Sequence, residues 1–236
     1  MASVVIDFVS NTLLAVFHFL TASAFRPLPA PPINIENQQM TNIVIVGGSF
    51  SAVGTAHRIF KAAAKSPDKP SVNITLVSRD SEFYWNLAAT RATVHGQIPD
   101  DEIFRPIAGG FAQYGKMFTF ILGSATALNT DAQTVHVAPA DGSEGQFISY
   151  DVLILATGAR IASGLPYKST GSTEATKEAL HQLQARVKAA KSIVVAGAGP
   201  TGVELAGELA DGYGESKQIV LVSSNRSSES LLPCQA

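Results

Sequence analysis

Three observations predict an α/β fold. A β-branched run, Asn42–Val46, leads straight into the glycine turn Gly47-Gly48-Ser49 and an amphipathic helix. A second such run, Ser192–Ala196, leads into Gly197-Ala198-Gly199-Pro200-Thr201-Gly202 and another helix. Between them lie short β-rich segments separated by turn signals. Continuous apolar strands alternating with helices are the pattern of parallel sheets covered on both faces. The expected architecture is a Rossmann-type parallel sheet carrying a β-meander, followed by the start of a second Rossmann unit.

Composition sets the outer limits. With 46% hydrophobic and 15% charged residues, the 236-residue chain can bury a core, and one large or two small domains fit its length. Seventeen Lys+Arg stand against nineteen Asp+Glu, so no nucleic-acid partner is expected. The single cysteine, Cys234, excludes an internal disulfide, a cysteine zinc site and a C-x-x-C pair within these residues. His18, His57, His95, His136 and His181 lack ligand spacing, and no metal site is predicted. No G-x-S-x-G occurs. The sequons at Asn73 and Asn225 read as chance matches, the first in a buried strand.

Residues 1–40 divide into an apolar segment and a spacer. Val4 to Phe25 is long enough to span a bilayer but is interrupted by Asp7, Asn11 and His18. It reads as a membrane anchor or interfacial helix, as a signal peptide ending at Ala22-Ser23-Ala24, or as a loosely ordered extension. Arg26 to Pro32 is a stiff, proline-rich spacer, and the folded domain is expected to begin near Thr41.

In the first unit the helix repeats Ala52, Val53, Ala56, Ile59, Phe60 and Ala63 on one side, with His57, Arg58, Lys61 and Lys65 on the other. Val72–Val77 closes the βαβ unit. A strand, a glycine turn and a helix N-terminus aim free N–H groups and the helix dipole at an anion, here a pyrophosphate. Of the G-x-G-x-x-G/A positions Gly47 and Ala52 fit, while Ser49 replaces the middle glycine. Alone, the motif also fits a plain glycine turn. The acid expected after the second strand to hold a ribose hydroxyl is displaced in Ser78-Arg79-Asp80; either Ser78 substitutes or Asp80 reaches back. The meander is expected over Met117–Ala125, Thr134–Val137, the Asp141-Gly142 turn and Phe147–Leu155, ending in Ala156-Thr157-Gly158.

The second fingerprint is complete, and Gly202, Ala206 and Ala210 let its helix lie close to the sheet. Ile219–Val222 is the next strand, again without a terminal acid. Arg226 beyond it suits a 2'-phosphate, or is a surface arginine. Two fingerprints point to a flavin site and a nicotinamide site.

Gly47-Gly48-Ser49-Phe50-Ser51-Ala52, Ala156-Thr157-Gly158 and the run from Gly197 to Leu209 together resemble the flavin-dependent pyridine-nucleotide oxidoreductases. Within them, the chain is similar to the apoptosis-inducing-factor-like branch of AMID and ferroptosis-suppressor type, over about Thr41 to Pro233. The resemblance implies FAD at Gly47 to Ala52, Ser78, Ala125 and Ala156 to Gly158, with Arg91 at a flavin-contacting basic position. It implies NADH or NADPH at Gly197, Gly199 and Gly202, and Glu204 where nicotinamide meets flavin. The plainer readings are a surface cation at Arg91 and a dipole-favourable glutamate at Glu204. The implied activity is that of an FAD-dependent NAD(P)H oxidoreductase passing electrons to a quinone-like acceptor or oxygen, in the cytoplasm or mitochondrion and with membrane association through the N-terminal segment. The implied domains are 41–165 for FAD and 166–236, partial, for NAD(P)H. Family members continue past the position of Ala236 to a Gly-Asp motif at the flavin, so a shortened form that binds nucleotide without turnover is the alternative expectation.

Overall fold

A computed structural model describes residues 3–7, 40–68 and 70–223. The expectations for residues 8–39, Asn225, Arg226 and Cys234 lie outside them. Two compact units make up the described chain. One holds the described residues of Asn34–Asn86 together with Asp100–Ala179; the other holds β1 (Ser3–Asp7), Leu87–Pro99 and the described residues from Leu180 onward.

The first unit opens with β2 (Thr41–Val46), α1 (Phe50–Lys65) and β3 (Val72–Ser78), the expected βαβ unit. β2 is buried on both faces. Ile43 and Ile45 join Ala52, Ala56 and Phe60 of α1 with Ile74 and Leu76 of β3 on one side, while Val44 and Val46 meet Val77, Val135 and Val137 on the other. Each fully buried aliphatic side chain contributes about 1.5–3 kcal/mol. β4 (Glu82–Tyr84) later pairs antiparallel with β5 (Phe104–Pro106); between them in sequence stand α2 (Ala89–Ala92) and α3 (Asp100–Ile103).

A 3-10 stretch, Ala108–Met117, covers α1 with aromatics: Phe111 stacks on His57 at 4.2 Å and on Phe118 at 4.0 Å, and Tyr114 stacks on Phe60 at 3.9 Å. His57, placed by periodicity on the polar side, is instead partly buried and bonded through Nδ1 to the Tyr114 hydroxyl at 3.0 Å. Burial pushes its pKa below the usual 6.5. The unfolded chain therefore takes up the proton first, and this contribution to stability, complete above about pH 6.5, is lost as pH falls below that value. His57→Gln should accordingly show a smaller drop in melting temperature than wild type between pH 7 and pH 5.

β6 (Phe118–Asn129), β7 (Thr134–Pro139), β8 (Gln146–Ser149) and β9 (Val152–Leu155) complete a six-stranded sheet of order β8-β7-β6-β3-β2-β9. β6 runs parallel to β3 over its first half and antiparallel to β7 over its second, with a register shift between Ala125 and Ala127. The single strand expected over Phe147–Leu155 is two. β8 pairs antiparallel with β7, but the N–H of Asp151 bonds to the Asn42 carbonyl at 2.9 Å, after which β9 joins β2 in parallel. The Asp151 carboxylate accepts the Asn42 N–H at 2.7 Å and fixes the changeover.

α4 (Thr173–Ala189) crosses from the first unit into the second. Residues 166–179, which the sequence reading assigns to the start of the second domain, pack in the first unit. Thr173 Oγ1 accepts from Ser81 Oγ and from the Glu82 N–H, and the Tyr84 hydroxyl donates to the Pro166 carbonyl. Lys177 pairs with Glu82 at 2.5 Å.

In the second unit Leu180, Leu183 and Val187 of α4 are buried at helical spacing, and Gln184 donates to the Ala92 carbonyl at 2.6 Å. β10 (Ser192–Ala196), α5 (Pro200–Tyr213) and β11 (Gln218–Val222) form the second βαβ unit, with Pro200 suited to the first helical turn. β1 lies parallel to β10 on the side away from β11. Val4, Val5 and Ile6 thus adopt the extended backbone that β-branched residues favour, while the rest of the apolar segment lies outside the described residues. Among the described residues no helix is long and apolar enough to cross a membrane.

Lys217 donates from Nζ to the carbonyls of Lys188 at 2.7 Å and Ala190 at 2.6 Å, closing the C-terminus of α4. It also lies 4.6 Å from the Tyr213 ring centroid. Lys217→Met should lower stability by about 1–2 kcal/mol, the scale of hydrogen bonds from a charged donor, in a denaturant titration.

Candidate functional site

β2 has β3 on one side and β9 on the other, and the chain leaves β2 and β9 at the same edge of the sheet. At such a point, where the strand order reverses, the carboxyl ends of the strands part to form a crevice. A cleft of about 600 Å³ opens there.

Its floor is the first glycine turn. Gly47 has φ +134°, donates its N–H to the Val77 carbonyl at 2.8 Å, and faces the Ala156 carbonyl oxygen so closely that a Cβ would collide with it. A Cβ on Gly48 would collide with Ser78 Oγ. Ser49 is the N-cap of α1, in extended backbone, and its side chain makes no capping bond. The first turn of α1 carries no acidic residue. Its free N–H groups and dipole are left for an anion, and the hydroxyl of Ser49 is small enough not to obstruct it. Ala52 is fully buried beneath the turn, packing helix against sheet as the last fingerprint position must. Phe50 is 41% exposed and meets Phe83 edge-on at 4.8 Å.

Gly47, Gly48, Ser49, Phe50, Ser51, Ser78, Ala125, Ala156, Thr157 and Gly158 all line this one cleft. Ala125 arrives on β6 at the register shift just past the change of partner from β3 to β7, and Gly158, at φ +70°, turns the chain after β9. Motif reasoning misses Arg160, Lys168 and Ser169, which come from irregular loop. Arg160 stands two residues past Gly158, and closeness to that turn is the sequence signal it offers. Arg79, Arg160 and Lys168 make no ion pair among the described residues, and of the acids lining the cleft Glu82 is already paired with Lys177, which leaves cations for a phosphate-bearing ligand. Asp80 lines it too. Its carboxyl is raised above the usual range chiefly by burial, against the opposing effects of the Ser169 hydroxyl and Arg79. The residues present fit a dinucleotide: two glycines where Cβ atoms would clash, an uncapped helix N-terminus and unpaired cations.

The second unit carries the complete fingerprint, and its glycines do three different jobs. Gly197, at φ +108°, donates to the Val222 carbonyl at 2.8 Å. Gly199 is the N-cap of α5 and has open space where a Cβ would stand, the room a phosphate needs. Gly202 faces the Gly197 carbonyl oxygen with no room for a Cβ. The first turn of α5 is likewise free of acidic residues. Glu204 is exposed on α5. Arg91 stands on α2 in the second unit, where Nε bonds both carboxylate oxygens of Glu208 at 3.1 Å.

Comparison with known proteins gives a consistent result. A family model described as pyridine nucleotide-disulphide oxidoreductase matches residues 41–227. The chain is 54% identical over 185 residues to the oxidoreductase ptaL of Pestalotiopsis fici, covering 78% of this chain and 49% of that protein. It is 36% identical over 173 residues to the oxidoreductase phnG of Penicillium herquei, covering 72% and 41%. It is 28% identical over 194 residues to ferroptosis suppressor protein 1 of Homo sapiens, covering 81% and 46%. The chain thus spans about half the length of the curated relatives it matches. Among solved structures, the sulfide:quinone oxidoreductase of Aquifex aeolicus superposes with a TM-score of 0.56 at 24% identity, over 76% of this chain and 42% of that one. The NAD-dependent persulfide reductase of A. fulgidus gives 0.58 at 20% identity, over 78% and 34%.

Proposed function

The chain belongs to the pyridine nucleotide-disulphide oxidoreductase family, and from that premise we propose that it is an NAD(P)H oxidoreductase holding FAD in the first cleft and NADH or NADPH at the second glycine turn. The observation that carries this is the presence of two dinucleotide turns, one in each unit, each with an acid-free helix N-terminus. Bound FAD would supply the chemistry by accepting a hydride from the nicotinamide and releasing the two electrons to an acceptor. The chain's residues bind and orient. The turns at Gly47 and Gly197 would bring backbone donors to the pyrophosphates, Arg79, Arg160 and Lys168 would neutralise charge in the first cleft, and Glu204 would hydrogen-bond the nicotinamide end of the dinucleotide. Within these 236 residues a single cysteine offers no thiol pair beside the first cleft for a dithiol acceptor of the kind the family name records. A quinone-like acceptor or oxygen fits better, in the cytoplasm or mitochondrion.

The test is anaerobic mixing of the FAD-loaded chain with NADH and, separately, NADPH. Bleaching of the flavin's visible band, with colour returning on addition of a soluble quinone or air, is the expected result; a band that neither nucleotide bleaches overturns the assignment. That second outcome favours the alternative, a chain that binds nucleotide without turnover. Glu204→Gln should slow bleaching by about ten- to a hundredfold, the scale of one lost charged hydrogen bond, with FAD content unchanged.

A further inference from the structure

Resting on the reading of the first cleft as the FAD site, we propose that Asp80 is the acid that recognises the adenosine ribose of FAD, held for that task by Ser78 and Ser169. In dinucleotide folds an acid at the end of the second strand takes the ribose hydroxyls. Here that place is occupied by Ser78, only 4% exposed and pressed against Gly48, where a larger charged side chain would be desolvated. The serine serves instead as a turn residue: Ser78 Oγ accepts the Asp80 N–H at 3.0 Å, folding the chain back so that Asp80 lines the cleft. Ser169 Oγ donates to Asp80 Oδ1 at 2.8 Å and orients the carboxylate. Oδ2 has no hydrogen-bond donor among the described residues and stands available to a hydroxyl.

A carboxylate with one oxygen fixed and the other free is an acceptor for a ribose hydroxyl and repels a phosphorylated ribose. The acid has moved two residues along the chain, and the Ser78 and Ser169 hydroxyls make the displacement work. Asp80 is a binding residue, and its role is separable from the phosphate-binding turn because FMN has no adenosine.

The experiment measures dissociation constants of FAD and FMN for the flavin-free chain by flavin fluorescence. Asp80→Ala is expected to weaken FAD about ten- to a hundredfold and to leave FMN unchanged. Asp80→Asn, which keeps the size, should lose less, and Ser169→Ala less again. Wild-type FAD affinity in Asp80→Ala overturns the inference, as does an equal loss for FMN, which would mark general damage to the cleft. A wild-type chain that binds FMN but gains nothing from the adenosine of FAD overturns it while leaving the flavin site standing. A wild-type chain that binds neither flavin overturns the cleft assignment as well.

Discussion

Gly47→Val is expected to abolish FAD binding, with affinity lost by at least about a hundredfold. Two independent costs coincide at this position. The backbone has φ +134°, where a β-branched residue is a steric outlier costing about 1–3 kcal/mol. A Cβ would also collide with the Ala156 carbonyl, which belongs to the chain leaving β9 and cannot swing away as a side-chain end could. Relief requires the turn to part from β9, and that parting dismantles the floor of the cleft. The control lies on the helix that follows: Gly54 stands in the interior of α1 with nothing within 4 Å of where a Cβ would sit, so Gly54→Ala should retain FAD and gain about 0.5–1 kcal/mol from helix propensity. Titration of both variants with FAD, followed by flavin fluorescence, checks the contrast.

The second large effect is expected at Gly202. A side chain there runs into the Gly197 carbonyl, so α5 and the turn before it cannot keep their present approach. Gly202→Val should eliminate flavin bleaching by NADH and NADPH while the chain still takes up FAD, because the cleft of the first unit contains none of these residues. Gly207→Ala, on the same helix with open space before it, should leave bleaching at the wild-type rate. Loss of FAD together with loss of bleaching in Gly202→Val would contradict the assignment of separate cofactors to the two turns.

Both glycine turns are legible in the sequence because each is a local event: a buried strand, a turn that tolerates positive φ, and a helix of small residues, all within about twenty positions. The features that sequence does not reveal depend on remote partners. Phe147 to Leu155 reads as one strand with Ser149-Tyr150-Asp151 at its middle, yet it serves two neighbours, β7 and β2, and the Asn42 to Asp151 bonds show why it breaks there. His57 follows the polar side of its helix by periodicity; the aromatic 3-10 stretch that covers it arrives from a distant part of the chain. Ser78 and Asp80 stand as alternatives in the sequence because their relation is geometric, one hydroxyl turning the chain for the other's carboxylate, and Ser169, which completes the arrangement, sits in a loop without periodicity. Arg91 likewise shows its partner, Glu208, only when α2 and α5 are brought together.

Whether the first cleft is a flavin site is read most directly from the visible spectrum of the purified 236-residue chain, with FAD counted per protein after gel filtration. Flavin bound near one per chain, either as purified or after incubation with FAD, is the expected result. A folded chain that stays colourless and retains no added FAD would contradict it.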